Sequence, residues 1–121
     1  VLDGERLLRL REVADQVHLD AKIRHYILDL VTATRDPKTA GLPDMAELIA
    51  FGASPRATLF LARSVKALAL VRGRGYVIPE DVKELAPDVL RHRLVATYEA
   101  EAEEVSTDDL VARLLDRIEV P

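Results

Sequence analysis

The sequence predicts an all-α protein, a small bundle of about four or five helices. Three observations lead there. Apolar residues recur at steps of three and four in several separate segments. Residues that favour helix starts stand just ahead of those segments. Leucine, alanine and valine dominate, whereas aromatics make up 4% of the chain and tryptophan is absent. A length of 121 residues suits one domain covering residues 1–121, large enough to bury a core.

The elements follow in order. Asp3 is suited to cap a first helix reaching about Val17, with Leu7, Leu8 and Leu10 near helical spacing beside Val13 and Ala14. After a break at His18 and Leu19, Asp20 is placed to cap a second. Ile23, Ile27, Leu30 and Val31 form its apolar stripe and Tyr26 flanks it. Asp36-Pro37 stops that helix near Thr34 and Arg35. Asp36 to Asp44 is the longest non-periodic stretch, with Pro37, Gly41 and Pro43, and the best place for mobility. Met45 to Phe51 fits either a helical turn or an extended segment.

Gly52-Ala53-Ser54-Pro55-Arg56 is the sharpest local signal. Ser54 suits an N-cap and Pro55 the first helical position, where a missing N–H costs nothing. The helix that follows, to about Arg72, is apolar on most sides and belongs in the middle of a bundle. Gly73 and Gly75 end it. Tyr76–Ile78 is a β-prone link. Pro79, Glu80 and Asp81 open a fourth helix, which Pro87 is expected to break or bend. Leu90 to Tyr98 reads as extended, and a small two-stranded patch between Tyr76–Ile78 and Leu94–Thr97 is expected. Glu99 to Glu104 is a solvated acidic run. Ser106 or Thr107 caps a last helix with Leu110, Leu114 and Ile118 on its apolar face.

Several classes of function find no footing. The chain has no cysteine, which excludes disulfides, thiolate metal sites and thiol nucleophiles and is compatible with a reducing cytoplasm. No apolar run is long enough to span a bilayer, so no membrane partner is expected. The formal charge of -4 argues against nucleic acid as the main partner. No phosphate-binding GxxxxGK[ST] loop or dinucleotide fingerprint occurs. His18, His25 and His92 are scattered without metal-ligand spacing, so no metal site is expected, and the carboxylates read as helix starts and solvated faces. The chain begins at Val1 rather than Met, which suggests a piece of something longer.

Arg56 is singled out by position. It falls in the first turn of its helix, where the dipole disfavours a cation by about 0.3–1 kcal/mol. The same helix end offers free N–H groups to an anion, and a guanidinium beside them can clasp a phosphate oxygen. From position alone, a solvated arginine at a helix start is the plainer account. Arg72, Arg74, Arg91 and Arg93 make either a basic edge or, preferably, a solvated surface pairing with the acidic run at Glu99 to Glu104.

Gly52-Ala53-Ser54-Pro55-Arg56-Ala57 resembles the sensor-two motif of MoxR-type AAA+ ATPases. Arg72-Gly73-Arg74, Tyr76-Val77, Pro79-Glu80-Asp81-Val82 and Val89-Leu90-Arg91-His92-Arg93-Leu94 follow in a similar order, and upstream the helix ending in Thr34-Arg35 resembles the one that opens the lid in this family. The resemblance covers nearly the whole chain. It implies the C-terminal helical lid of an AAA+ protein whose α/β ATPase domain, with its Walker motifs, is absent here. It gives Arg56 the sensor-two role towards the γ-phosphate of ATP, with Ser54 and Pro55 fixing the helix start and Tyr26 as a guess for a residue bordering the adenine. ATP and Mg2+ are implied for the full-length parent, an enzyme that hydrolyses ATP to remodel or activate partner proteins, and neither is expected to bind this fragment tightly. The implied partners are the chain's own ATPase domain, neighbouring subunits of a ring and an unidentified client. Two other readings stand beside it: a free-standing helical adaptor, and the lid of a magnesium-chelatase-like AAA+ protein.

Overall fold

The computed structural model describes residues 3–121. Asp3 caps α1 (Gly4–Asp15) by accepting the Arg6 N–H at 2.8 Å, and Asp20 caps α2 (Ala21–Arg35) by accepting the Lys22 N–H at 2.8 Å. Both caps are those expected. The loop after α2 is held by Asp36, whose carboxylate accepts the Thr39 hydroxyl at 2.6 Å. The ambiguous segment at 45–51 is both things in turn: a single helical turn, α3 (Pro43–Ala46), then a short strand, β1 (Ile49–Phe51).

The long apolar helix is α4 (Arg56–Val71). It ends where Gly73 takes a φ of +75°, a backbone setting that L side chains resist. The Arg74 N–H then reaches back to the Ala69 carbonyl at 2.9 Å. The chain returns as α5 (Pro79–Leu90). Pro87 does not break it. A proline there forfeits one N–H bond, to the Lys83 carbonyl, on the side of the helix where Lys83 is exposed and water can take that oxygen. The helix therefore continues, and the Pro87 carbonyl accepts the Arg91 N–H at 3.0 Å.

The predicted two-stranded patch exists with a different partner. β2 (Val95–Ala96) pairs antiparallel with β1, Ile49 opposite Ala96 and Phe51 opposite Val95. The Tyr76–Ile78 link instead makes one parallel bridge to His18, with the Val77 N–H donating to the His18 carbonyl at 2.9 Å. The acidic run forms α6 (Tyr98–Ala102), capped by Thr97 and seated on the buried Ala100. In α7 (Thr107–Arg117) the cap is Ser106, in a reciprocal box with Asp109.

Two apolar clusters hold these elements. The larger gathers Ile23, Ile27 and Leu30 of α2, Leu61, Val65 and Ala69 of α4, Val82, Ala86 and Leu90 of α5, and Val111 of α7. The smaller joins Leu42, Met45, Leu48 and Ile49 to Ala100, Leu110 and Leu114. α4 packs against α1, α2 and α5 but is not enclosed as expected: Ala57, Leu61, Val65 and Ala69 are buried, while Leu59, Phe60 and Val71 remain exposed. α1 differs. It leans chiefly on α4, and its stripe is uncovered, with Leu7 51%, Leu8 59%, Leu10 44% and Val13 45% exposed.

Candidate functional site

The start of α4 is built by two segments distant in sequence. Thr34, in the last turn of α2, is 1% exposed. Its hydroxyl donates to the Val31 carbonyl at 2.6 Å and accepts the N–H of the fully buried Ala53 at 3.0 Å. Gly52 lies against the same turn. A Cβ on it would land on the Thr34 carbonyl and 2.6 Å from the Arg35 nitrogen. Only a residue without a side chain fits, so the turn from β1 into α4 is clamped to the end of α2. The sequence reading named Thr34 only as a helix end. A hydroxyl amino acid at a helix terminus, facing a Gly-Ala pair across the fold, carries no local signal.

The expected side-chain cap by Ser54 is not formed. Pro55 occupies the capping position with φ -56° and ψ -23°, already helical, and no side chain bonds the first turn. Ser54 contributes its carbonyl, which accepts the Ala57 N–H at 2.9 Å, and Pro55 likewise accepts the Thr58 N–H at 3.1 Å. Ser54 is exposed, so water can serve its hydroxyl in place of the first-turn N–H groups. Arg56 opens α4 and is exposed, and no carboxylate pairs with it among the described residues.

Tyr26 is not at this helix end. It is 2% exposed in the larger core cluster, and burial pushes its hydroxyl pKa up. An open cleft of about 550 Å³ runs along α2 past Ala21, His25, Tyr26 and Asp29 to the tail at Glu119–Pro121, and Arg56 does not line it. With its ring in the core, Tyr26 reaches that cleft only as part of its wall.

Of Arg72, Arg74, Arg91 and Arg93, the first three pair with carboxylates, though not with Glu99 to Glu104. Arg74 grips Asp81 with two bonds of 2.7 and 2.6 Å, and Arg72 approaches Asp81 at 3.6 Å while pairing with Glu84. Asp81 is fully buried; the Arg74 guanidinium, then the Ile78 N–H and the Arg72 charge, hold its carboxyl below the usual range against the opposing effect of burial. Arg91 bonds Asp108 at 2.6 Å. Arg93 has no carboxylate among the described residues. Its Nη1 donates to the Val89 carbonyl at 2.7 Å, and its guanidinium carbon lies 4.8 Å from the centre of the Phe60 ring. Among the described residues no cluster of three His, Asp or Glu could hold a metal ion, and no helix is long and apolar enough to cross a membrane.

The family model described as the AAA lid domain matches residues 44–114 of this helical bundle. The chain belongs to that family. Its likeness is to MoxR-type AAA+ proteins: it is 46% identical over 121 residues to "Chaperone MoxR1" of Mycobacterium tuberculosis, covering 100% of this chain and 32% of that one. It is 36% identical over 108 residues to "Protein MoxR" of Paracoccus denitrificans, covering 86% of this chain and 31% of the relative. A solved structure of a candidate ATPase from Cytophaga hutchinsonii superposes with a TM-score of 0.92 at 40% identity, over 97% of this chain and 36% of the other. The chain thus spans about a third of the length of the curated relatives it matches.

Proposed function

We propose that this lid senses the phosphate state of an ATP molecule held by an α/β ATPase domain of the same polypeptide, and that Arg56 is the sensing residue. The observation that carries the reading is an arginine without a carboxylate partner at the start of α4, on a turn fixed by Thr34 and Gly52. A cation at a helix N-terminus is locally unfavourable. An anion received there removes the penalty and engages the guanidinium and the free N–H groups together. Nucleotide and Mg2+ would be held chiefly by the ATPase domain, with the lid adding contacts to the phosphates.

In this reading Arg56 bonds the γ-phosphate, and hydrolysis takes that partner away. A hydrogen bond to a charged group contributes about 1.5–3 kcal/mol. Lost on one side of a two-state equilibrium, that shifts the lid's position by roughly 10- to 100-fold. Ser54 and Pro55 act by setting the helix start through their backbone. The uncovered face of α1 suits contact with the ATPase domain or a neighbouring subunit of a ring, and the resulting motion would remodel a partner protein. The MoxR relatives favour this parent over a magnesium-chelatase-like one.

The test is Arg56→Ala in the intact polypeptide. ATP turnover is expected to fall by about tenfold or more, with the lid's melting transition unchanged. Unaltered turnover would remove Arg56 from the mechanism.

A further inference from the structure

Arg93 lies in an arginine-rich segment, Arg91-His92-Arg93, that the sensor reading leaves unused. Three features bring it to the same end of the bundle as Arg56. α4 and α5 pack together, with Asp81 at the start of α5 tied to Arg72 and Arg74 just beyond the end of α4. The other end of α5 therefore returns beside the first turns of α4, where Leu90 and Leu94 share a core with Ala57 and Leu61. The β-ribbon repeats the placement: Phe51 pairs with Val95, so the residues leading into α4 and the residues leading into β2 leave the ribbon at the same end. Finally, the Arg93 guanidinium sits over Phe60, one helical turn after Arg56 on the same face of α4.

The charge is held but not neutralised. Arg72, Arg74 and Arg91 each have a carboxylate, whereas Arg93 is fixed by an aromatic face and one carbonyl. Both of those leave the guanidinium fully positive and its remaining N–H donors available. Arg93 is exposed, so those donors can reach an anion received at the neighbouring start of α4.

We propose that Arg93 is a second contact to the phosphate chain of the bound nucleotide, aimed by the Phe60 ring and acting beside Arg56. The proposal rests on the sensor reading of that helix start. Arg93 also satisfies a carbonyl at the end of α5, and that role by itself would contribute to stability and nothing else.

The experiment uses the intact polypeptide and measures the dissociation constants of a slowly hydrolysed ATP analogue and of ADP, with melting as a control, for Arg93→Gln, Arg93→Lys, Phe60→Leu and Arg56→Ala. Arg93→Gln is expected to weaken the triphosphate by about tenfold or more relative to ADP. Arg93→Lys should recover part of the loss, and Phe60→Leu should give a smaller loss in the same direction. An unchanged ratio of triphosphate to ADP affinity in Arg93→Gln, whatever the melting temperature does, would overturn the proposal and leave a helix-end cap. If Arg93→Gln does not fold, an unchanged ratio in both Arg93→Lys and Phe60→Leu overturns it equally. Failure of the sensor reading has a different signature: Arg56→Ala then leaves the ratio intact while Arg93→Gln still lowers it.

Discussion

The hydroxyl of Thr34 accepts the N–H of Ala53 at 3.0 Å, and through that bond the end of α2 sets the direction in which α4 begins. Both residues are buried, so neither group has water as a substitute partner. Thr34→Val keeps the shape and deletes the acceptor. It is expected to lower stability by about 1–3 kcal/mol, the cost of a buried donor left unmatched. Thr34→Ser keeps the acceptor and should lose less. Chemical denaturation of the three proteins checks the order; equal midpoints for Thr and Val would show that the bond contributes nothing.

Gly52→Ala tests the same clamp from the other strand. The added methyl meets the backbone of Thr34 and Arg35, which cannot swing aside as a side chain could. A loss of about 1–3 kcal/mol, or more if the turn cannot shift, is expected from thermal melting. Because the methyl acts on the turn that presents Arg56, a parallel fall in ATP turnover of the intact polypeptide is also expected.

Ser54 and Ser106 should respond differently to alanine. Ser106 accepts the Asp109 N–H at 3.1 Å and Asp109 returns the contact at 2.9 Å, so Ser106→Ala is expected to cost about 1 kcal/mol. Ser54 bonds the first turn of α4 through its carbonyl, which alanine retains, and Ser54→Ala should stay within about 0.5 kcal/mol. A large loss at Ser54 with none at Ser106 would reverse the assignment of the two caps.

Asp81 couples the lid's stability to acid. Its carboxyl titrates below the usual range in the folded chain, chiefly because Arg74 bonds it. A depressed folded value means that the stabilisation is complete above the unfolded carboxylate value of about 4, and is lost as pH falls from there through the folded value. Denaturation midpoints measured downward from neutral pH should therefore drop below about pH 4, and Asp81→Asn should flatten that part of the curve. At neutral pH Asp81→Ala is expected to cost about 3 kcal/mol, towards the lower end for a buried pair losing one member, because Arg74 keeps some contact with solvent.

What the sequence made legible were features with short range. Asp3, Asp20 and Ser106 announce their helices because a cap and its N–H partner lie within three residues of each other. The packing of α4 against three helices follows from its apolar content, although Leu59, Phe60 and Val71 stay exposed. What failed needed distant partners. The strand 94–97 was recognised but joined to 76–78, since nothing local distinguishes that segment from Ile49–Phe51 as its mate. Asp81 read as a dipole-friendly residue, whereas its bond to Arg74 depends on how tightly the chain turns through Gly73. Ser54 fits the preference for a cap, yet no side chain bonds the first turn of α4, and nothing in the local sequence announces that.

The bare flank of α1 also governs how this piece would behave apart from the rest of its polypeptide. A helix that buries none of its side chains gains little amide protection from the bundle. Its backbone hydrogens should exchange with deuterated solvent well before those of α4, and should slow once something seats against Leu7, Leu8 and Leu10. Exchange at α1 is therefore a local gauge of docking, readable without knowing in advance which surface arrives.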